Sequence, residues 1–198
     1  MKKVNKVLAL FLCAVIFMGL AGCASSGENA QSSDTGLIEK ATRLLQAEGR
    51  EYDKLYTAKM NELLTNAFFE FSIRSATIAS ELEGYVPQTE GYQFLVADVL
   101  VKNVFGDTIP VGNYDFDIYW NGGGDVAYES FFDEMYPDEM DLADGESIRG
   151  KLVYEIPADA TDIMIGYTEI WDDDFEGNMY LVEIEPDAAA PQEAENDV

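Results

Sequence analysis

Apolar residues change their spacing along the chain. From Leu37 to Tyr56 they recur mostly at three- and four-residue intervals, through Leu37, Ala41, Leu44, Leu45, Tyr52, Leu55 and Tyr56, the period of an amphipathic helix. Thr35 stands where a helix cap belongs, and Gly49 weakens the second half by up to about 1 kcal/mol. The pattern therefore predicts a helical preface over residues 37–58, with a break or an end near that glycine. From Phe68 onward the period falls to two. Phe69, Phe71 and Ile73 alternate with Glu70, Ser72 and Arg74, as on a strand with one buried and one wet face. The run YQFLVADVLVKNV over 92–104 is apolar on both faces until Asp98 and Lys102, which predicts a central strand lying between layers. Further short runs over 115–120, 148–156, 163–171 and 179–185 are separated by turn residues such as Asn121-Gly122-Gly123-Gly124-Asp125 and Ala143-Asp144-Gly145-Glu146. Six or seven such strands predict an all-β fold, an immunoglobulin-like antiparallel β-sandwich over 59–185.

The two ends follow different rules. Residues 1–22 carry Lys2, Lys3 and Lys6, an apolar stretch from Val7 to about Met18, and the small-residue junction Leu20-Ala21-Gly22 before Cys23. That order is the pattern of a signal peptide, and the apolar run is short for a membrane-spanning helix. The tetrad ending in Cys23 resembles the lipobox of bacterial lipoproteins. The resemblance implies diacylglyceryl transfer to the Cys23 thiol, cleavage before it, and attachment to the cell membrane on its extracytoplasmic face. Residues 23–36 (CASSGENAQSSDTG) and 186–198 (PDAAAPQEAENDV) lack large apolar side chains apart from a final valine. They cannot bury enough surface to offset the entropy of ordering, which predicts a flexible linker and a disordered tail.

Charge and composition remove several classes of function. Asp and Glu outnumber Lys and Arg 38 to 12 in a 198-residue chain, a net charge of −26 that repels phosphate backbones and so disfavours nucleic acid. There is no histidine, hence no Ser-His-Asp or Cys-His nucleophilic site. The two cysteines are Cys13 and Cys23, leaving none in the folded region for disulfides or thiolate metal clusters. These exclusions predict a chain that is not an enzyme and needs no cofactor.

The stretches NAFFEFSIRSATIA, EGYQFLVADVLVKNVFGDTIPVGNYDFDIY and LADGESIRGKLVYEIPADATDIMIGY carry a resemblance over about residues 60–185. They resemble the immunoglobulin-like, telokin-like domain of unknown function found in many lipoproteins of Gram-positive bacteria, similar in fold to a mycobacterial secreted immunoprotective antigen. The resemblance implies a sandwich, an extracytoplasmic place and a binding or structural role, and it brings no catalytic residues with it. The chain departs from that pattern in its acidic middle, FFDEMYPDEMDLADGE, and in its helical preface.

Two constellations remain as candidate sites. Asp172, Asp174, Glu176 and Glu183 fall at positions one, three, five and twelve of a run with Gly177 at six, close to the spacing of a calcium loop, with strand-like flanks in place of helices. The competing reading is a solvated hairpin turn. Asp133, Glu134, Asp138, Glu139 and Asp141, interleaved with Phe131, Phe132, Met135 and Tyr136, would suit a basic or sugar-bearing partner, against the plainer reading of a charged loop over the sandwich edge. The chain thus reads as a membrane-anchored, non-enzymatic binding or interaction module with a protein or cell-wall partner, or alternatively as a calcium-binding structural domain.

Overall fold

The computed structural model describes residues 39–44, 49–128, 131–172 and 175–188. The sandwich expected from the period-two pattern is present as two facing sheets. One sheet runs in the order β1 (Leu55–Lys59), β11 (Phe175–Glu183), β10 (Met164–Asp172), β6 (Asp117–Trp120), β7 (Gly123–Val126). The other runs β12 (Asp187–Ala188), β3 (Phe69–Ala79), β4 (Tyr92–Asn103), β9 (Ser147–Pro157), with β2 (Leu64–Thr65) added beside β3. A small ribbon of β5 (Ile109–Val111) and β8 (Met140–Leu142) completes the strands.

Pairing within each sheet is antiparallel except at two edges, where β1 lies parallel to β11 and β12 parallel to β3. The inward faces meet in a core that includes Phe71, Ile73, Leu95, Val99, Phe116, Ile118, Leu152, Tyr154, Ile165 and Val182. Phe71 meets Phe116 edge to face at 5.4 Å, and the buried Tyr154 hydroxyl donates to the Phe116 carbonyl at 3.1 Å.

The alternation on β3 holds only through Ile73. A bulge leaves Arg74 unpaired between the Ile73–Val99 and Ser75–Asp98 pairs, so the buried position shifts to Ala76. The turn in the glycine run is the pair Asn121-Gly122, and Gly123 and Gly124 already belong to β7.

The preface departs from expectation. Within residues 37–58 the described helix covers only 39–44, and Leu55–Lys59 form β1 in register with Met179–Glu183. Gly49, at φ 86°, takes a left-handed conformation that does not continue a helix. Only Ala58 of the five β1 residues is buried, which is why LYTAK does not read as a strand. The boundary at the other end also moves, since Asp187 and Ala188 pair with Thr77 and Ile78 within the segment expected to be a disordered tail. The sheets therefore reach beyond 59–185 at both ends.

The short helix is docked on the sandwich. Ala41 is buried in the main core, and the Lys40 ammonium stands 4.4 Å from the Phe105 ring centroid. Farther along, the Arg50 guanidinium pairs at 2.5 Å with Glu169, which is fully buried. Glu169 also accepts the Ala67 and Asn178 backbone N–H groups, each at 3.0 Å. Gly177 is required beside it, since a Cβ there would stand 2.6 Å from the Glu169 Cβ.

Candidate functional site

One end of the outer face of β4 and β9 is also apolar. Leu95, Ala97 and Val99 point inward, whereas Phe94 belongs to a second buried cluster with Val153 of β9 and Phe132. Two loops cover this outer face. In the first, Leu82 and Tyr85 exchange backbone hydrogen bonds of 2.8 Å around Glu83 and Gly84, both with positive φ, a two-residue turn that presents Tyr85.

The second loop follows β7 and pairs with the free edge of β9. Tyr128 N–H donates to the Val153 carbonyl at 2.8 Å, Tyr136 N–H to Lys151 at 2.8 Å, and Lys151 N–H to Glu134 at 2.9 Å. Gly150 permits that approach, because a Cβ there would come within 2.6 Å of Tyr136 backbone. The loops clip together where Asp133 N–H donates to the Glu83 carboxylate at 3.1 Å.

Between them lies a cleft of about 400 Å³, lined by Tyr85, Val86, Gln88, Phe94, Tyr128, Phe131, Phe132 and Glu155. The size falls within the range of about 300–1,000 Å³ usual for small-molecule pockets. Its rings meet edge to face. Tyr85 stands 4.8 Å from Phe131 and 5.8 Å from Phe132, and Phe132 stands 5.8 Å from Phe94. The outer rings are open to solvent, with Tyr85 50%, Val86 66% and Phe131 61% exposed.

Among the described residues Glu155 is the one carboxylate of the lining, and it is only 8% exposed. It accepts hydrogen bonds from the Tyr128 hydroxyl, from Gln88 N–H at 2.6 Å and from Thr89 N–H at 3.3 Å. Burial raises its pKa, but these donors outweigh burial, and the carboxyl sits below its ordinary range. Burial and the same bond push the Tyr128 hydroxyl up to about 12. At neutral pH the floor of the cleft is therefore a carboxylate anion under aromatic walls. Among the described residues no Lys or Arg forms an ion pair with it.

A second cleft, about 270 Å³, opens between Phe68, Phe69, Ile109, Tyr114, Tyr167 and the carboxylates Asp115 and Asp117. Among the described residues Asp115 accepts one hydrogen bond, from the Gly112 N–H at 2.8 Å. Burial first, opposed by that bond and aided by Glu139, raises its pKa to about 6.

The acidic residues expected to form a partner-binding face are all exposed, and several have local partners. Asp133 contacts Glu83 through its backbone, whereas Glu134 lines a separate cleft with Asp98, Arg149 and Lys151, where it pairs with Lys151 at 2.6 Å and its pKa is lowered by that ammonium. Asp138 accepts from the Asn113 side-chain amide at 2.9 Å. Asp141 stands opposite Pro110 in the β5–β8 ribbon, next to the exposed Glu139. The neighbouring aromatics part company as well, with Tyr136 fully buried and Phe131 exposed.

The expected calcium loop is corrected by strand register. Asp174 and the side chains of Asp172 and Glu176 lie outside the described residues. The backbone of β11 is extended, with Phe175 opposite Asp172 and Glu183 opposite Met164. At about 3.3 Å per residue, Glu183 is roughly 26 Å from the turn, so the four residues do not close one cage. Among the described residues no group of three or more His, Cys, Asp or Glu could hold a metal ion. Cys23 likewise lies outside the described residues.

The aromatic cleft was not among the expected sites. The signal was present in the two-sided apolarity of Tyr92–Asn103 and in the adjacent pair Phe131-Phe132, but not which loop covers the strand.

Comparison with known proteins bears on the fold. The family model for a domain of unknown function, DUF4352, matches residues 58–176. We find no curated protein that matches the chain. Among solved structures, the candidate lipoprotein ycdA of Bacillus subtilis superposes with a TM-score of 0.52 at 15% identity, covering 64% of this chain and 39% of that one. The chain thus spans well under half the length of ycdA. The secreted protein MPT63 of Mycobacterium tuberculosis gives a TM-score of 0.48 at 13% identity, covering 63% of this chain and 95% of that one. A candidate lipoprotein of Staphylococcus aureus gives 0.43 at 10% identity, covering 67% and 97%. At these identities the likeness is one of fold.

Proposed function

We propose, for a chain that belongs to the DUF4352 family of domains of unknown function, a binding module outside the cytoplasm, held on the membrane by lipid at Cys23 and without enzymatic activity. The observation that carries the binding role is the cleft on the outer face of β4 and β9, in which Tyr85, Val86 and Phe131 remain exposed beside a buried carboxylate. Exposed rings grouped around a concavity mark ligand sites more often than isolated apolar residues do. Among the described residues the cleft lining contains no serine, cysteine or lysine nucleophile, and the chain has no histidine to act as base. Attachment rests on the leader and on the order of residues at Leu20–Cys23. Among the described residues no helix is long and apolar enough to cross a membrane.

Two measurements test the two halves. Labelling with a fatty-acid analogue in a Gram-positive host is expected to mark the wild-type chain and to fail with Cys23→Ala. Equal labelling of both would remove the anchor. An uncharged solvatochromic dye is expected to bind the protein with one-to-one stoichiometry and to lose that site with Phe131→Ala. Binding unaffected by the substitution would remove the cleft.

A further inference from the structure

We infer that the aromatic cleft, taken as the binding site proposed above, receives a quaternary ammonium group. Four features converge on that class of ligand. The first is the unpaired charge of Glu155. Another deeply buried glutamate at a loop junction, Glu169, is matched by Arg50 at 2.5 Å, whereas among the described residues Glu155 is held by neutral donors alone and lines an open cleft. A ligand cation would supply the missing positive charge where solvent screens it least.

The second is the disposition of the rings. Tyr85 meets Phe131 at 78° and Phe132 at 80°, and Phe94 meets Phe132 at 72°. Packed edge to face, these rings make one side of the cleft an aromatic wall, and aromatic faces attract cations with bulky apolar substituents.

The third is the acceptor count. A carboxylate has about four acceptor positions, and three donors already reach Glu155. A primary ammonium would bring three N–H donors that the walls cannot satisfy, while a quaternary ammonium brings none. A hard metal ion is disfavoured for the opposite reason, since it asks for about six oxygens and the lining offers, among the described residues, one carboxylate, one amide and two phenols. The fourth is the field of the chain, whose net charge of −26 draws cations and repels anions.

The test uses the full chain purified in maltoside detergent and titrated, by NMR or calorimetry, with three probes. They are choline, its uncharged isostere with tert-butyl in place of trimethylammonium, and lysine amide blocked at its α-amino group. Choline is expected to bind about tenfold more tightly than either of the others. Glu155→Gln should bring choline and the isostere to within about twofold of each other. Phe131→Ala, at an exposed ring, should weaken choline about tenfold with an unchanged melting temperature, and it keeps the test open if Glu155→Gln fails to fold.

Equal binding of choline and the isostere overturns the cationic assignment and leaves the cleft as a neutral apolar site. Tighter binding of the lysine probe overturns the quaternary one. If the uncharged dye binds at Phe131 but choline does not, the ammonium inference alone falls. If neither binds, the cleft falls with it.

Discussion

Two buried glutamates hold loops against this sandwich, and they do so by different means. Glu169 of β10 is fully buried and joins the segment at Arg50 and the residue Ala67 to the β10–β11 hairpin. Its charge is answered by a guanidinium. Glu155 of β9 does the same for residues 88–89 and Tyr128, but only dipoles answer its charge, and one side of it faces a cleft. The first is a closed structural junction. The second is satisfied enough to stay ionised and open enough to meet a ligand, which is how a buried carboxylate differs when it serves binding as well as folding.

The largest effect that would sharpen this contrast is at the closed junction. Arg50→Ala leaves Glu169 charged, buried and without its cation, and is expected to cost about 3 kcal/mol in chemical denaturation, the lower end for a broken buried pair because Arg50 keeps some solvent contact. A loss below about 0.5 kcal/mol would show that the neutral donors suffice there too, and would erase the distinction.

Asp115 adds a third case, a half-buried carboxylate with a single backbone donor. Its folded pKa of about 6 stands above the ordinary 3.8, so the folded state binds more protons than the unfolded one between those values. Its contribution therefore favours folding below about pH 4 and is lost as the pH rises through 6. Asp115→Asn keeps an acceptor for the Gly112 N–H and is expected to raise stability at pH 7 by about 2 kcal/mol, with no gain at pH 3. Denaturant melts at the two pH values read this directly.

Glu155 has the opposite sign. Its folded pKa lies below the ordinary 4.5, so its contribution is present above that value and fades as the pH falls through the folded one. Glu155→Gln should cost about 1 kcal/mol at pH 7 and nearly nothing at pH 2, measured in the same way. A loss at pH 7 as large as that of Arg50→Ala would mark Glu155 as a purely structural junction.

The layers of the fold were legible because each sheet buries one face. Phe69, Phe71 and Ile73 occupy the core as their alternation requires, and the two-sided run at Tyr92–Asn103 does lie between layers. The first edge strand was not legible. Leu55–Lys59 buries only Ala58, and its partner β11 lies more than a hundred residues away, so a local helical spacing outweighed a pairing that no window of sequence contains. The same limit applies to the cleft. Tyr85, Phe131 and Glu155 come from three distant segments, and only the turn at Glu83-Gly84 and the close approach at Gly150 bring them together. The acidic run was conspicuous in sequence, and the structure adds local partners for two of its carboxylates, Lys151 for Glu134 and Asn113 for Asp138.

A crystal structure of the protein soaked with benzyltrimethylammonium examines the open glutamate most directly. The ammonium is expected in the cleft, against the Tyr85 and Phe131 rings and on the Glu155 side, with the rings in their present places. Density for the cation elsewhere on the acidic surface, with the cleft holding only water, would contradict it.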